Sequence, residues 1–260
     1  MFGVPRGFSL FSMLASAVCA GLLARMAWDK PRLALPILLV LVLSLLPAVL
    51  ARRRMMRLLR SGDVEEILGA WAPSMGRLVH PETTTPMLVA TAYASHGFVA
   101  AARRALGRAA RGPAWDAAVE QRLVLDTLLD TFEGEQARSL MQADMLEALP
   151  RPKAGFWVNR RVVALRRGVA ALARAFAHRS RQDDLRSLRR AAKNSPLVHW
   201  AMLYGEAIVA IDAGDRAHAA RLLAGAPAWP GESAFRSFHG ELAAHMAKSQ
   251  ATDDTSPKPL

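Results

Sequence analysis

The chain opens with two uninterrupted apolar stretches, residues 7–24 and 33–50. Each is 18 residues long without a charge, and residues 25–32 separate them. As helices they would each extend about 27 Å, close to the ~30 Å hydrocarbon core of a bilayer. Trp28 and the stems of Arg25 and Lys30 can extend the first span into the interface, to about residue 27. So short a linker predicts an antiparallel hairpin. After Leu50 the pattern changes to helical periodicity, which continues to about Met246. Turn signals interrupt it at Gly62-Asp63, His96-Gly97, Glu133-Gly134, 179–183 and Gly214-Asp215, with longer breaks at 81–86, Gly112-Pro113, 150–155, 194–196 and 227–231. The pattern is helix, tight turn, helix, longer loop, repeated about every 35 residues. A period of that length built from helix pairs predicts an α-solenoid, with an irregular helical bundle as the alternative. Residues 150–155 look like an inserted loop. Asp63 with Glu66 predicts a capping box, and Thr85-Pro86 and Ser195-Pro196 each read as a hydroxyl cap before an N-terminal proline.

Residues 86–113 resemble a tetratricopeptide repeat. Ala90 stands at the small position that lets paired helices close, Tyr93 at the aromatic position and Gly97 at the start of the turn. Ala102, Leu106, Ala109 and Pro113 follow at the small, large, small and proline positions. The other units match more loosely: Trp200 and Leu203 open like the motif, but Gly205 comes one residue late. The resemblance implies a tetratricopeptide-like α-solenoid of about five helix pairs; with the two-helix transmembrane hairpin read from the apolar stretches, the expected chain is all-α. The expected organisation is a hairpin over 1–51, a helical-repeat domain over 52–248 and a disordered polar tail over 249–260.

Charge adds an orientation. Arg52, Arg53, Arg54 and Arg57 follow the second span at once and outweigh the positive charges of the linker. By the positive-inside rule they keep residues 51–260 in the cytoplasm, as expected at the inner membrane of a bacterium. A cleaved signal peptide over the first stretch, or two buried core helices, are the competing readings. Cys19 is the only cysteine and lies inside the first span, so one chain can form no disulfide.

The net charge of +12 is uneven. Residues 151–193 carry 13 basic and 2 acidic side chains, whereas 61–150 carry 7 and 12. Val158, Val162, Leu165, Val169, Leu172 and Phe176 form one apolar stripe, while Arg160, Arg167, Arg174 and Arg181 recur every seventh residue on another face. Arg161 and Arg166 flank that row, and Arg186, Arg189 and Arg190 follow in the next helix. Three readings fit this block: a solvated face paired with acidic stripes such as Asp126, Asp130 and Glu133; contact with anionic lipid; or an acidic partner. Nucleic acid fits least, because only Phe156 and Trp157 accompany the charges as stacking residues.

None of the seven histidines pairs with Cys, Asp or a second His at metal-ligand spacing, and no nucleotide-binding or nucleophile motif is present. No cofactor is expected. The sequence therefore predicts a membrane-anchored, non-enzymatic adaptor or scaffold for an unidentified protein partner. The alternative is a membrane-surface module contacting anionic lipid or an acidic partner through residues 151–193, and a third reading is an enzyme whose site, assembled from distant residues, is not visible in the sequence.

Overall fold

Alanine, leucine and arginine, all strong helix formers, dominate the chain. The computed structural model describes residues 25, 31–152 and 155–254, with complete side-chain surroundings for 51–152 and 155–246. No strand occurs among the described residues. The helices are α1 (Pro31–Leu58), α2 (Val64–Met75), α3 (Pro81–Ser95), α4 (Val99–Gly107), α5 (Pro113–Ala117), α6 (Val119–Phe132) and α7 (Gln136–Ala148). There follow α8 (Phe156–Phe176), α9 (Asp184–Asn194), a 3₁₀ turn (Pro196–Val198), α10 (His199–Asp212), α11 (Arg216–Leu223) and α12 (Ala234–Asp254).

The chain divides into two compact units, 1–55 and 56–260. The apolar stretch 7–24 lies outside the described residues, as do most side chains of 33–50. Leu39, Leu43, Leu46 and Leu50, at spacings of four and three on α1, are exposed. Arg52, Arg53, Arg54 and Arg57 near its end are exposed as well. Among the described residues, no helix is long and apolar enough to cross a membrane.

In the second unit, helices pair and the pairs stack. α3 packs on α4, α6 on α7, α8 on α9 and α10 on α11. Each pair also touches the next: α6 contacts α3 and α4, α8 contacts α6 and α7, α10 contacts α8 and α9, and α12 contacts α10 and α11. One turn geometry recurs within these pairs. Phe98 N–H bonds to the Tyr93 carbonyl, Glu135 to Asp130, Arg179 to Arg174 and Asp215 to Ala210, all at 2.8–3.0 Å. This is the six-to-one bond of the Schellman motif, which requires a left-handed residue just past the helix end. Gly97, Gly134 and Gly214 fill that position with φ of 79–80°, and His178 fills it with φ 52°. The third turn therefore pivots at His178, just before the expected 179–183. The His178 imidazole Nδ1 lies 3.0 Å from Asp212 of the next pair, a contact glycine would lack.

The stack folds back on itself. Ala234 N–H donates to the Gly97 carbonyl, Ser233 Oγ to the His96 carbonyl (2.7 Å) and Trp200 Nε1 to the Arg60 carbonyl (2.7 Å). Pro227 and Trp229 lie against the turn at Gly62. The interior is filled by aromatic rings. Phe235 is fully buried and touches Phe132, Tyr204 and Trp229, while Phe238 meets Phe176 at 4.9 Å between ring centroids.

Some local expectations need correction. α3 begins at Pro81, not at Pro86, which lies inside the helix. Proline has no N–H to offer the carbonyl four residues back. That carbonyl, on Glu82, instead accepts from Ala110 N–H at 3.1 Å, and Thr83 Oγ1 donates to the Ala110 carbonyl at 2.9 Å. A tertiary contact thus replaces the missing helix bond. Ser195 makes no side-chain cap, and Pro196 starts a 3₁₀ turn. Asp63 caps α2 by accepting from Glu66 N–H at 3.0 Å, but its own N–H goes to Ser61 Oγ, so only half of the box forms. Helix α12 extends to Asp254, well into the stretch expected to be disordered.

Candidate functional site

The arginine-rich block folds as α8 and α9, which pack along each other. Gly168 permits the approach, because a Cβ there would collide with Ala191, and Gly205 lets α10 close on the pair, where a Cβ would lie 2.7 Å from Leu172. The apolar stripe read from the sequence turns inward, with Val169 and Leu172 fully buried.

Arginines on the remaining face do three different things. Arg166 and Arg174 are buried. Arg166 Nε donates to Glu120 (2.8 Å), and its Nη1 donates to the carbonyls of Leu149 and Pro150 (3.2 and 2.8 Å). It therefore fastens the inserted loop and satisfies a carbonyl at the end of α7. Arg174 donates through Nε and Nη2 to both oxygens of Asp184 (2.9 and 2.6 Å) and through Nη2 to Glu147 (3.0 Å). Burial works against its charge, but the bonds to Asp184 and Glu147 more than offset that, and its pKa is raised.

Arg181, Arg186 and Arg189 are exposed but partnered: Arg181 with Glu147 (3.2 Å), Arg186 with Asp183 (3.3 Å) and Arg189 with Glu206 (2.6 Å). Glu206 is itself buried and also lies 2.9 Å from His218. Arg160, Arg161, Arg167 and Arg190 are exposed, and none has an ionic partner among the described residues.

A cleft of about 860 Å³ gathers most of these side chains. The row Arg160, Arg167, Arg174 and Arg181 forms one wall, although α8 ends at Phe176 and Arg181 reaches the cleft from the loop. Arg186 and Arg190 of α9 face them. Arg189 and Arg161 do not belong to the cleft. Seven arginines line it, including Arg151, against the carboxylates of Glu147, Asp183 and Asp184. Those three carboxylates are all engaged by Arg174, Arg181 and Arg186, so Arg151, Arg160, Arg167 and Arg190 have no ionic partner among the described residues. Guanidinium stays charged at any physiological pH and donates in a planar fork. Such a surface holds carboxylate or phosphate and does not transfer protons.

The acidic stripe expected to neutralise this block is used elsewhere. Arg103 of α4 donates to both Asp130 and Glu133 (2.5 and 2.6 Å) and lies 3.6 Å from Asp126. The hydrogen bond with Glu133 is the main reason its pKa is raised. Gln142 donates to the other Asp130 oxygen at 2.8 Å. Burial raises the Asp126 pKa, and the Arg103 charge only partly counters it.

The residues carrying the repeat resemblance lie in the first pair. Ala90 and Ala102 are fully buried against Leu125 and Leu129, with Tyr93 and Leu106 partly buried beside them. Ala109 packs with Met87 and Trp115. The sequence pattern does not single out Arg151, Arg103 or Asn159, and it places Arg166 only as a flank of the arginine row, not as the clamp on the loop. The pair Arg166-Arg167 carries the one available signal: adjacent helix positions point about 100° apart, so the two can face different surroundings. Among the described residues, no cluster of three His, Cys, Asp or Glu side chains is placed to hold a metal ion. A scan against protein-family models, a search of curated proteins and a search of solved structures each return no match.

Proposed function

We propose that this chain is a membrane-anchored helical-repeat scaffold that binds an anionic partner at the cytoplasmic face of the membrane. In this reading residues 1–51 form a transmembrane hairpin and the stacked helix pairs of 52–248 are a degenerate tetratricopeptide-like solenoid. The exposed leucines of α1 and the arginines that follow them support the anchor and its orientation. The stacked pairs with their recurring turn support the repeat assignment.

The observation that carries the functional reading is the α8–α9 cleft, where four arginines have no ionic partner among the described residues. Like charges held together cost stability, and a folded chain keeps them where a partner of opposite sign offsets that cost. Fixed guanidinium groups offer charge and hydrogen bonds to a bound anion and carry no proton to give or take, which fits a binding role. A peptide seated inside the superhelix is less favoured, because Phe132, Phe235 and Phe238 already fill that space.

Photocrosslinking from position 190 in native membranes tests the reading. It should recover anionic lipid or an acidic protein, and both products should fade at high salt. Recovery of solvent adducts alone would end it. The anchor is tested separately: a reporter fused after Leu260 should be active only in its cytoplasmic form, and cleavage of that fusion from outside intact cells would reverse the orientation.

A further inference from the structure

Helix α8 changes character along its length. From Ala164 to Ala175 every residue is buried except Leu165 and Arg167, whereas none of residues 155–163 is buried. The change has a structural cause. Arg166 is tied to the carbonyls of Leu149 and Pro150, and Gly168 lies against Ala191, so α7, its loop and α9 cover the later turns. The first two turns are not enclosed. Phe156 and Trp157 stand at their outer end, each 71% exposed, with ring centroids 5.5 Å apart. Large aromatics normally gain most from burial, so two of them left open side by side mark a contact surface.

The charges behind the rings are ordered. Arg160 follows Phe156 and Arg161 follows Trp157 at a spacing of four, so each arginine shares a helix face with a ring and lies about 6 Å further from the tip along the axis. Helix side chains lean toward the N-terminus, which carries both guanidinium groups toward the rings. Both arginines are exposed, and neither has an ionic partner among the described residues. No Asp or Glu stands between Glu147 and Asp183, so no carboxylate of α8 or its leading loop repels an anion here. Rings outermost with arginine one turn behind is the order of a bilayer interface, where aromatic rings sit among headgroups and arginine reaches phosphate. Direction selects a surface over a single ligand. Arg160 and Arg161 point about 100° apart around the axis, as do Phe156 and Trp157. Groups that diverge in this way do not converge on one small molecule, and a protein partner would have to wrap two faces of the tip. A lipid surface meets each of them separately.

We propose that the first two turns of α8 are a second membrane contact, with Phe156 and Trp157 entering the interface of an anionic bilayer and Arg160 and Arg161 meeting its headgroup phosphates. This rests on the reading of the protein as a membrane-anchored binder of anions, and it commits that binding to the lipid surface. An anchored chain needs only a small tip for this, because tethering keeps the bilayer at high effective concentration.

The test uses the full chain in nanodiscs of phosphatidylcholine brominated on its acyl chains, with or without phosphatidylglycerol. Trp157→Phe keeps an aromatic ring at the tip, so the fluorescence difference between the native chain and this variant isolates Trp157 from the other tryptophans. With phosphatidylglycerol present, that difference should be blue-shifted and strongly quenched relative to unbrominated discs. Without it, the quenching should be clearly weaker. The paired substitution Arg160→Glu with Arg161→Glu, made in both backgrounds, should remove the quenching and leave the thermal midpoint unchanged, because neither side chain has an ionic partner to lose. A parallel arm adds soluble polyglutamate to unbrominated phosphatidylcholine discs and follows amide exchange along α9.

Trp157 emission that stays unquenched in the anionic discs would overturn the membrane contact. If polyglutamate then slowed exchange along α9, an acidic protein would be the partner and the anion-binding function above would stand. No response in either arm would remove that function as well. Quenching that is equal in neutral and anionic discs, or that survives the paired arginine substitution, would overturn the role given to Arg160 and Arg161.

Discussion

At His96 two demands meet on one side chain. Its ring closes α3, with Nδ1 2.9 Å from the Ala92 carbonyl, which makes that nitrogen the protonated one of the neutral imidazole. The ring is fully buried beneath the returning C-terminal segment, and its Nε2 has no partner. Burial therefore holds its pKa below the usual 6.5, only partly opposed by the backbone carbonyls of Ala92 and Leu59, the latter too poorly placed to make a full hydrogen bond. His199 is shifted the same way, by burial first and by the Arg60 charge second. A histidine whose folded pKa is depressed contributes stability above its unfolded pKa and loses it as pH falls. The thermal midpoint should thus drop between about pH 7.5 and about pH 5.5, the range in which imidazole titrates. His96→Asn keeps a short donor near the Ala92 carbonyl but cannot titrate, so its midpoint should fall less. Parallel curves for the two proteins would show that His96 is not the titrating group. At this scale the sequence is legible in type and not in role. The arginine row at every seventh residue is plain, but Arg160 reaches solvent while Arg174 sits against Asp184. Nothing local distinguishes them, because the difference is made by α7 and α9 lying over one end of α8 and not the other.

Elements are set by turns. Gly97 and Gly134 share a backbone geometry, with φ of 79° and 80°, yet their surroundings differ. A Cβ on Gly97 would lie 2.8 Å from Ser233 Oγ and 3.1 Å from the Phe235 ring, whereas a Cβ on Gly134 would meet nothing within 4 Å. Gly134→Ala should cost only the left-handed penalty, about 1–2 kcal/mol. Gly97→Ala should cost clearly more, since it also pushes the 233–235 segment off the turn. Comparable losses in denaturant unfolding would mean that this segment does not press on Gly97. The tight turns are legible in the sequence because glycine marks a left-handed position. The exception is informative: His178 occupies the same position without glycine, stapled to Asp212, and so the eye moves to the polar run after it. The start of α3 is hidden for a related reason. Pro86 signals a helix beginning, and only the distant Ala110 N–H makes it tolerable five residues into a helix.

For the second unit as a whole, the decisive contact is between its two ends. Residues 227–238 touch the turns at Gly62 and Gly97 as well as Phe132 and Tyr204, so one segment ties early helix pairs to late ones. Tyr204 shows how dry this junction is. Its hydroxyl accepts from Trp229 Nε1 at 2.7 Å, and burial pushes its pKa up to about 12 against that bond. Phe235→Ala should cost about 3–5 kcal/mol. It should also speed amide exchange both at the Gly97 turn and along α10, because each loses a packing partner. Faster exchange confined to residues around 235 would show that the closure does not couple the two ends.

The sequence by itself determined that the second unit is helical, roughly where it turns and that one stretch concentrates arginine. These properties follow from propensity, glycine conformation and charge count, all of which act within a few residues. Only the tertiary structure decided that the stack closes on its own aromatic segment, that Arg103 takes the acidic stripe, and that Arg174 is buried in ion pairs while Arg151, Arg160, Arg167 and Arg190 have no ionic partner among the described residues. Those outcomes depend on which helix lies beside which. That neighbour relation is fixed by contacts between residues far apart in the chain, such as Ser233 on His96 and Arg166 on Leu149, that no local pattern encodes.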